Sequence, residues 1–381
     1  MFNAKQLNGL YVGQYLSEER NLVINGDCYI DQVNEGASVA LVSGTPAYIC
    51  DGMKASLVTS NSAVVTAQQV TDGPAGLIKS LKLTTSTGAA VAAGDSLTIQ
   101  IPIEGALMKY FGFGGSTPGA VSIGFWVKTG GNGAVIFSMA LQNSAGNRTY
   151  VPSNSYKAST PVGTDIISYG AWTYISLVGV IGDIAGTWLT GNGTIGLNLI
   201  ITVACGSTNQ TSSTDQWLGS GAFAANTIDN LGLTTTGATF QVTGIQVEPG
   251  PVCTQFSMKP YQLALLDCQR YYEKTFPAGT APAQNAGLGG ALGSIAFGAT
   301  AGELYTQWNF KVPKAKTPTI TTYNPSASNA NWRDVTGSSD VAVSVDPDTA
   351  KGTNGVFIGS QTTALTANHH AYIHAVADAR I

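Results

Sequence analysis

The sequence predicts an all-β protein whose main domain is a two-sheet sandwich or jelly roll, and three observations favour this fold class. Apolar residues recur at every second position in several separate runs. Glycine accounts for 46 of the 381 residues, above the usual ~7%, and many glycines flank short β-branched runs, as turn residues do. A convincing helical pattern is confined to one stretch, near residues 261–273.

The alternation is clearest in three runs, at residues 97–103, 121–127 and 195–203. In each run, large apolar residues alternate mainly with small or polar ones, which is typical of an antiparallel strand with one buried face. Near residues 240–247 the apolar phase changes around Gly244, which predicts a β-bulge. Because no helical pattern separates these strands, we expect them to stack as sheets within residues 21–258.

A short helix is predicted to follow this sandwich. Pro260 suits a first helical turn, and Leu263, Leu266 and Arg270 recur at spacings of three and four, so that one helical face can pack. We therefore assign residues 259–279 to a helical linker between two β-domains.

Residues 280–381 are predicted to form a smaller C-terminal β-domain. Its longest alternation covers residues 304–312, and its other strand patterns are short and rich in small residues. Such strands bury little surface by themselves, so we expect the chain to oligomerise through this domain. Residues 1–20 are polar and mixed, and they are either a frayed terminus or an arm that orders against a neighbouring subunit.

Composition argues against several classes of partner. Charged residues make up 10% of the chain, and 18 Lys and Arg against 22 Asp and Glu give a net charge of −4. Without a basic stripe, we expect no nucleic-acid partner and no binding to anionic membranes. We also expect no membrane insertion and no secretion signal, since no long apolar run is present. The 5 cysteines form no CxxC pair and are expected to be free thiols of a protein made in a reducing cytoplasm.

The sequence gives little support to catalysis. Acidic residues are sparse and scattered, and neither a GxSxG elbow nor an HExxH motif is present. A glycosidase requires only two carboxylates across a cleft, so a glycan-degrading enzyme stays open as an alternative. Our prediction is a protein that is not an enzyme.

Aromatic residues in polar loops are the candidates for ligand contact. An aromatic face can stack on the apolar face of a sugar ring, and loop tryptophans beside Asn and Asp are the least typical of a core. On this basis we select Trp188, Trp217, Trp332 and the nearby Tyr323 as glycan-binding candidates. The alternative for each tryptophan is packing in a core or an interface.

The three histidines, His369, His370 and His374, lie close together in the sequence. A threefold axis could gather them into a metal site, because neutral imidazole is a common ligand. No nearby Cys or paired carboxylate completes a coordination set. Ordinary strand and loop roles are therefore the favoured interpretation.

Several segments together resemble the jelly-roll module of bacteriophage tail-fibre and related virion proteins, which in turn looks like a carbohydrate-binding-module sandwich. They are NLVINGD at 21–27, which opens the sandwich, then SIGFWVK at 122–128, GDIAGTW at 182–188, GIQVEPG at 244–250 and CQRYYE at 268–273. The C-terminal segments FKVPK at 310–314, TPT at 317–319, NWRD at 331–334 and AVADA at 375–379 are similar to the domain that commonly follows this module.

The resemblance implies a structural virion protein, a tail fibre or short fibre, that attaches to host surface glycans. It implies a homotrimer located in the virion, joined to other tail or capsid proteins through residues 1–20. By analogy with the carbohydrate modules, Asp27 and Glu248 at the ends of the first and last strands are candidate ligands of a structural Ca²⁺. The alternative is a capsid or tail decoration protein with no receptor role.

Overall fold

A computed structural model describes residues 20–109, 111–132, 135–153, 157–158, 166–167, 169–297, 303–343, 351–361 and 365–381. The chain forms two compact units. Unit 1 contains the described residues up to Tyr29 and then Ser38–Pro260, and unit 2 contains Ile30–Ala37 and Tyr261–Ile381. Apart from Arg20, the predicted N-terminal arm at residues 1–20 lies outside the described residues.

Unit 1 is built from strands. In chain order these are β1 (Val39–Ala40), β2 (Ala47–Cys50), β3 (Met53–Val58), β4 (Val64–Val70), β5 (Ser80–Thr87), β6 (Ser96–Glu104), β7 (Ala120–Gly130), β8 (Ser138–Gln142), β9 (Thr149–Tyr150), β10 (Lys157–Ala158), β11 (Ile166–Ile167), β12 (Thr173–Ile181), β13 (Ile195–Cys205), β14 (Gln210–Thr211), β15 (Trp217–Leu218), β16 (Ala224–Ala225) and β17 (Thr239–Pro249). Its short helices are α1 (Gly105–Met108) and α2 (Leu231–Thr234), and a 3-10 turn covers Ser207–Asn209.

Two antiparallel sheets hold these strands together. Sheet 1 has six strands in the order β1-β4-β5-β17-β7-β12, and sheet 2 has seven in the order β15-β9-β8-β13-β6-β3-β2. Two short parallel pairs, β10–β11 and β14–β16, complete the unit. The predicted all-β class is confirmed.

The core of unit 1 lies between the two sheets and follows from the alternation. On β7, the apolar residues at positions 121, 123, 125 and 127 are fully buried, and on β6 those at 97, 99, 101 and 103 are at most 1% exposed. Both rows belong to one hydrophobic cluster. The predicted bulge is also confirmed, because β17 shifts register against β7 between Thr243 and Gln246 while Gly244 has a φ of +62°.

Unit 2 is a smaller β-structure with one helix. In chain order its elements are α3 (Tyr261–Gln269), β18 (Tyr272–Lys274), β19 (Leu292–Ile295), β20 (Glu303–Asn309), β21 (Thr319–Tyr323), β22 (Trp332–Asp334), β23 (Ser339–Val341), β24 (Gly355–Gln361) and β25 (His370–Asp378). Strand β25 pairs with β18, β19, β21 and β22, and β20 pairs with β24. A second hydrophobic cluster surrounds β25.

The predicted helix is present, but the assignment of residues 259–279 to a linker is wrong. The helix ends at Gln269, and Tyr272–Lys274 then form β18. Strand β18 pairs with β25 in the main sheet of unit 2, and its first two residues are buried. The short segment at Ile30–Ala37 also belongs to unit 2, where Gln32 donates to the backbone oxygen of Tyr272.

All 5 cysteines are free thiols, as predicted, and Cys253 is the one that is not fully buried. In the part of the chain that the structure describes, none of the helices has the length and apolar character needed to cross a membrane.

Candidate functional site

Two of the four aromatic candidates come together in unit 1. Trp188 and Trp217 pack edge to face with their ring centroids 5.3 Å apart, and Phe113 lies 4.9 Å from Trp188 and 5.8 Å from Trp217. Tyr150 joins them at 5.6 Å from Trp217. The two tryptophans are half-buried and pack against the sandwich core. Sequence reasoning selected both without predicting that they touch.

The polar edges of these two indoles are already used within the protein. The Nε1–H of Trp188 donates to the backbone oxygen of Ala185 at 3.0 Å, and that of Trp217 to the backbone oxygen of Ile181 at 2.8 Å. Nearby, Arg148 forms a bidentate ion pair with the buried carboxylate of Asp183. The cluster therefore packs against the sandwich core, and only parts of its rings remain for a ligand.

The other two aromatic candidates lie in unit 2. Trp332 is fully buried, with 0% of its surface exposed, so neither face of its ring can stack on a sugar. Its assignment to a glycan-binding loop is wrong, because the residue begins β22 inside the core cluster of unit 2. Tyr323 is half-buried and packs edge to face on Phe276 at 5.4 Å. Burial raises the pKa of its phenol.

The two candidate calcium ligands have different surroundings. Both carboxylate oxygens of Glu248 are hydrogen-bonded, one to the Thr254 hydroxyl and the other to the Gln246 amide and the Thr254 backbone. Burial raises the pKa of Asp27, which disfavours its charged form. No group of three or more His, Cys, Asp or Glu in the described ranges is arranged to hold a metal ion. A calcium ion shared by Asp27 and Glu248 stays a prediction.

The three histidines make separate contacts. His369 bonds through Nδ1 to the carboxylate of Asp334 at 2.7 Å, and His370 is exposed. His374 is fully buried and stacks on Phe276 with ring centroids 4.0 Å apart. No common centre joins them within the chain.

His374 is buried in its neutral form. Its Nε2–H donates to the backbone oxygen of Gly287, and its Nδ1 accepts from the Thr275 hydroxyl, both at 2.9 Å. Burial lowers the pKa of this imidazole below its usual 6.5. The stability that this residue contributes is therefore present above pH 6.5 and lost as the pH falls through the folded-state pKa, since the unfolded chain binds a proton first.

We expect the free energy of unfolding of unit 2 to decrease as the pH falls below 6.5 toward the folded-state pKa of His374, with a slope of up to about 1.4 kcal/mol per pH unit from this residue. The His374→Phe variant, which keeps an aromatic ring on Phe276, should lack this part of the slope. Urea unfolding, monitored by the hydrogen exchange of backbone amides in β25, measures this dependence of stability on pH. The exposed His370→Gln variant is the control, and equal slopes in wild type and His374→Phe would contradict the expectation.

The outer face of sheet 2 carries a groove that the sequence analysis did not select. Its cavity volume is about 300 Å³. The lining side chains are mostly uncharged polar ones, from β3, β6, β8, β13 and the wall segment, which is residues 207–225. They are Ser56, Val58, Ser96, Thr98, Gln100, Gln142, Asn198, Ile200, Asn209 and Phe223, with Gly94. We call this the polar groove.

The antiparallel register places these residues side by side. Gln100 on β6 is opposite Ile200 on β13, and Asn198 on β13 is opposite Gln142 on β8. Each lies one position from a core-facing apolar residue, so the groove is the solvent face of the strands whose other face forms the core.

The wall segment covers part of the same face and bounds the groove. The Thr202 hydroxyl donates to the backbone oxygen of Phe223 at 2.8 Å, and the backbone N–H of Ala225 donates to the Ser138 hydroxyl at 3.0 Å. Phe223 is half-buried and presents an aromatic side chain to the groove. The groove thus has a strand floor and a wall attached to it by hydrogen bonds.

Two amide side chains in the groove make fewer hydrogen bonds with the described residues than they could. Asn198 Oδ1 is buried and has no hydrogen-bond partner among the described residues. Among the described residues, the Gln142 amide donates to the Thr149 hydroxyl at 3.1 Å and to the backbone oxygen of Gly221 at 3.5 Å. A buried polar atom without a partner in the protein is uncommon, so this oxygen can accept a hydrogen bond from a group that enters the groove.

Comparison with known proteins gives weak likenesses. No family model and no curated protein matches the sequence. The xylan-binding CBM22-1 domain of Paenibacillus barcinonensis Xyn10C aligns with 57% of this chain and 97% of its own, at 10% identity and a TM-score of 0.24. The family 11 carbohydrate-binding module of Clostridium thermocellum, solved with a mixed-linked tetrasaccharide, aligns over 57% and 98%, at 11% identity and a TM-score of 0.26. Scores this low carry no argument about this chain.

Proposed function

We propose that unit 1 binds neutral glycans in the polar groove and performs no chemistry on them. The observation that carries the proposal is the groove's lining of amides and hydroxyls around a buried Asn198 oxygen that has no hydrogen-bond partner among the described residues. Sugar hydroxyls both donate and accept hydrogen bonds, and amide side chains do the same. Phe223 adds an apolar surface for the C–H face of a sugar ring.

The charge of the lining supports a neutral ligand and a non-catalytic role. None of the described residues that line the groove carries a charged side chain. Glycoside hydrolysis generally requires a pair of carboxylates that flank the bond. The cavity, at about 300 Å³, is at the small end of the range for ligand sites, which suits a short segment of a glycan.

We expect the double variant Gln100→Ala, Asn198→Ala to bind glycan roughly 10- to 30-fold more weakly, because each lost hydrogen bond is worth about 1 kcal/mol. The measurement is isothermal titration calorimetry with cellohexaose, xylohexaose, maltohexaose and β-1,4-galactotriose. Gln307→Ala, an exposed glutamine on β20 of unit 2, is the matched control. Unchanged affinity in the double variant would place the binding site elsewhere.

A more specific proposal, for the biological role of this glycan binding, rests on the sequence resemblance alone. We propose that the protein is a trimeric component of a bacteriophage virion, in which glycan binding serves attachment to the host surface. Light scattering should then give the mass of a trimer, and the purified protein should adsorb saturably to bacterial cells. A trimer that binds other virion proteins but no cells would favour the decoration role instead.

A further inference from the structure

A second cavity lies on the opposite side of the sandwich, on the outer face of sheet 1. Its volume is about 340 Å³. The lining comes from the loop before β5, from β7 and β12, and from the segment after β17. Its residues are Ala75, Gly76, Leu77, Trp126, Tyr174, Cys253, Thr254, Gln255, Phe256 and Met258. We call this the aromatic cleft.

Two glycines leave space for the aromatic side chains at the base of the cleft. Trp126 on β7 and Tyr174 on β12 are cross-strand partners with ring centroids 5.4 Å apart and planes tilted by 59°. Tyr174 lies over Gly124, where an added Cβ would be 2.0 Å from the phenol oxygen. At the bulge, a Cβ on Gly244 would be 3.0 Å from Trp126 Cδ1. The strands therefore leave room for both rings.

The opposite wall is held by buried polar contacts. Glu248, 2% exposed, accepts from the Thr254 hydroxyl at 2.8 Å, and Gln246 Oε1 accepts from the backbone N–H of Ser257 at 2.8 Å. The Cys253 thiol donates to the backbone oxygen of Ile123 at 3.0 Å, and burial raises the pKa of this thiol to about 11, so it stays protonated. Glu248, selected from the sequence as a calcium ligand, therefore acts in the structure as an anchor of this wall.

Several groups in the cleft remain available to a ligand. Trp126 is half-buried, Tyr174 is 40% exposed and Gln255 is exposed. Within the described part of the chain, the Trp126 indole N–H, the Tyr174 hydroxyl and the Gln255 side-chain amide have no hydrogen-bond partner. No described residue that lines the cleft is charged. Tilted aromatic faces beside unpaired neutral donors match a sugar ring, which has one apolar face and a rim of hydroxyls.

We propose that the aromatic cleft is a second glycan-binding site, which holds a neutral sugar residue by stacking on Trp126 and by hydrogen bonds from Trp126, Tyr174 and Gln255. This inference rests on the proposed function, and it adds a site on the opposite face of the same sandwich. One chain can then engage two glycan strands at once. On a dense glycan surface, two linked sites raise the apparent affinity by about 10²–10⁴ over either one.

Calorimetry on the full chain with the same four oligosaccharides tests this inference. We expect two bound oligosaccharides per chain in wild type, and one in Trp126→Ala, with affinity at the cleft weakened roughly tenfold or more. Trp126→Phe, which keeps a stacking ring but not the N–H, should retain part of the affinity. Perturbation of the Trp126 indole N–H signal by an oligosaccharide in wild type gives a readout that does not depend on any variant.

The outcomes separate the two sites. One bound oligosaccharide, lost only in Gln100→Ala, Asn198→Ala and without effect on the Trp126 signal, would overturn the second site and leave the proposed function intact. One bound oligosaccharide, lost only in Trp126→Ala, would support the aromatic cleft and overturn the polar groove. If none of the four binds, the proposed function itself fails and the second site fails with it.

Discussion

Replacing Glu273 by glutamine is expected to lower the free energy of unfolding of unit 2 by about 3–5 kcal/mol, because it leaves a buried ammonium without its counter-charge. Glu273 and Lys314 form an ion pair at 2.5 Å, with 2% and 0% of their side chains exposed. Lys314 also donates to the backbone oxygen of Gln269 at 2.6 Å, and Glu273 accepts from the backbone N–H of Lys311. The pair thereby joins the end of α3 and strand β18 to the segment that follows β20.

The double variant Glu273→Gln, Lys314→Met is the control, since removing both charges is often close to neutral. Urea unfolding, monitored by the hydrogen exchange of backbone amides in β25, measures the change in the stability of unit 2 separately from that of unit 1. Burial lowers the pKa of Lys314 below its usual 10.5, and Glu273 opposes this shift. Without Glu273 the pKa should fall further. The loss of stability relative to wild type should then become smaller as the pH rises from the folded-state pKa of Lys314 in the variant to its higher folded-state pKa in wild type, because only the variant sheds the buried charge over that range. A single variant as stable as wild type would contradict the argument.

The strands of unit 1 could be predicted because the alternation of apolar and polar residues that marks a strand lies within a short stretch of sequence. A run such as residues 121–127 shows its buried face through alternation alone, and Gly244 shows its bulge through a change of phase. The Lys314–Glu273 pair could not be predicted in this way. The two residues are 41 positions apart in the sequence, and a lysine between prolines and alanines looks like a surface residue until the strands that bury it are placed.

Dependence on contacts between distant residues also explains why the candidate sites could not be predicted in full from the sequence. Gln100 and Asn198 were visible as the polar half of two alternating runs, but nothing in either run places them in one groove. That requires the register between β6 and β13, together with the wall segment that bounds the outer face of sheet 2. Trp188 and Trp217 were selected for their polar neighbours, and their contact depends on where the loop between β12 and β13 meets strand β15.

Glu248 shows how little a resemblance reveals about the surroundings of the residue that it selects. A carboxylate at the end of the last strand is compatible with a calcium ligand, and the sequence does not show what surrounds it. In the structure, hydrogen bonds from Gln246 and Thr254 occupy its oxygens, and Thr254 belongs to the wall of the aromatic cleft. The buried charge is therefore stabilised by polar donors of the protein itself.

Truncation of Trp332 to alanine is expected to destabilise unit 2 by about 3–5 kcal/mol, the usual cost of removing a large buried aromatic side chain. Trp332 is the largest fully buried side chain of the described residues, and it lies in the cluster around β25. Its Nε1–H is buried and has no hydrogen-bond partner among the described residues. Trp332→Phe, which removes this unsatisfied donor along with part of the ring, should therefore cost much less than Trp332→Ala.

The same two variants distinguish a core role from a ligand-binding role. If Trp332 acts only in the core, oligosaccharide affinity measured at a temperature where both variants are folded should equal that of wild type, while the transition of unit 2 moves to lower urea in Trp332→Ala. A residue that stacks on a glycan would give the opposite result, with weaker binding and little change in unfolding. Because a fully buried indole has no free face, we expect the first result, and the second would contradict the core role of Trp332.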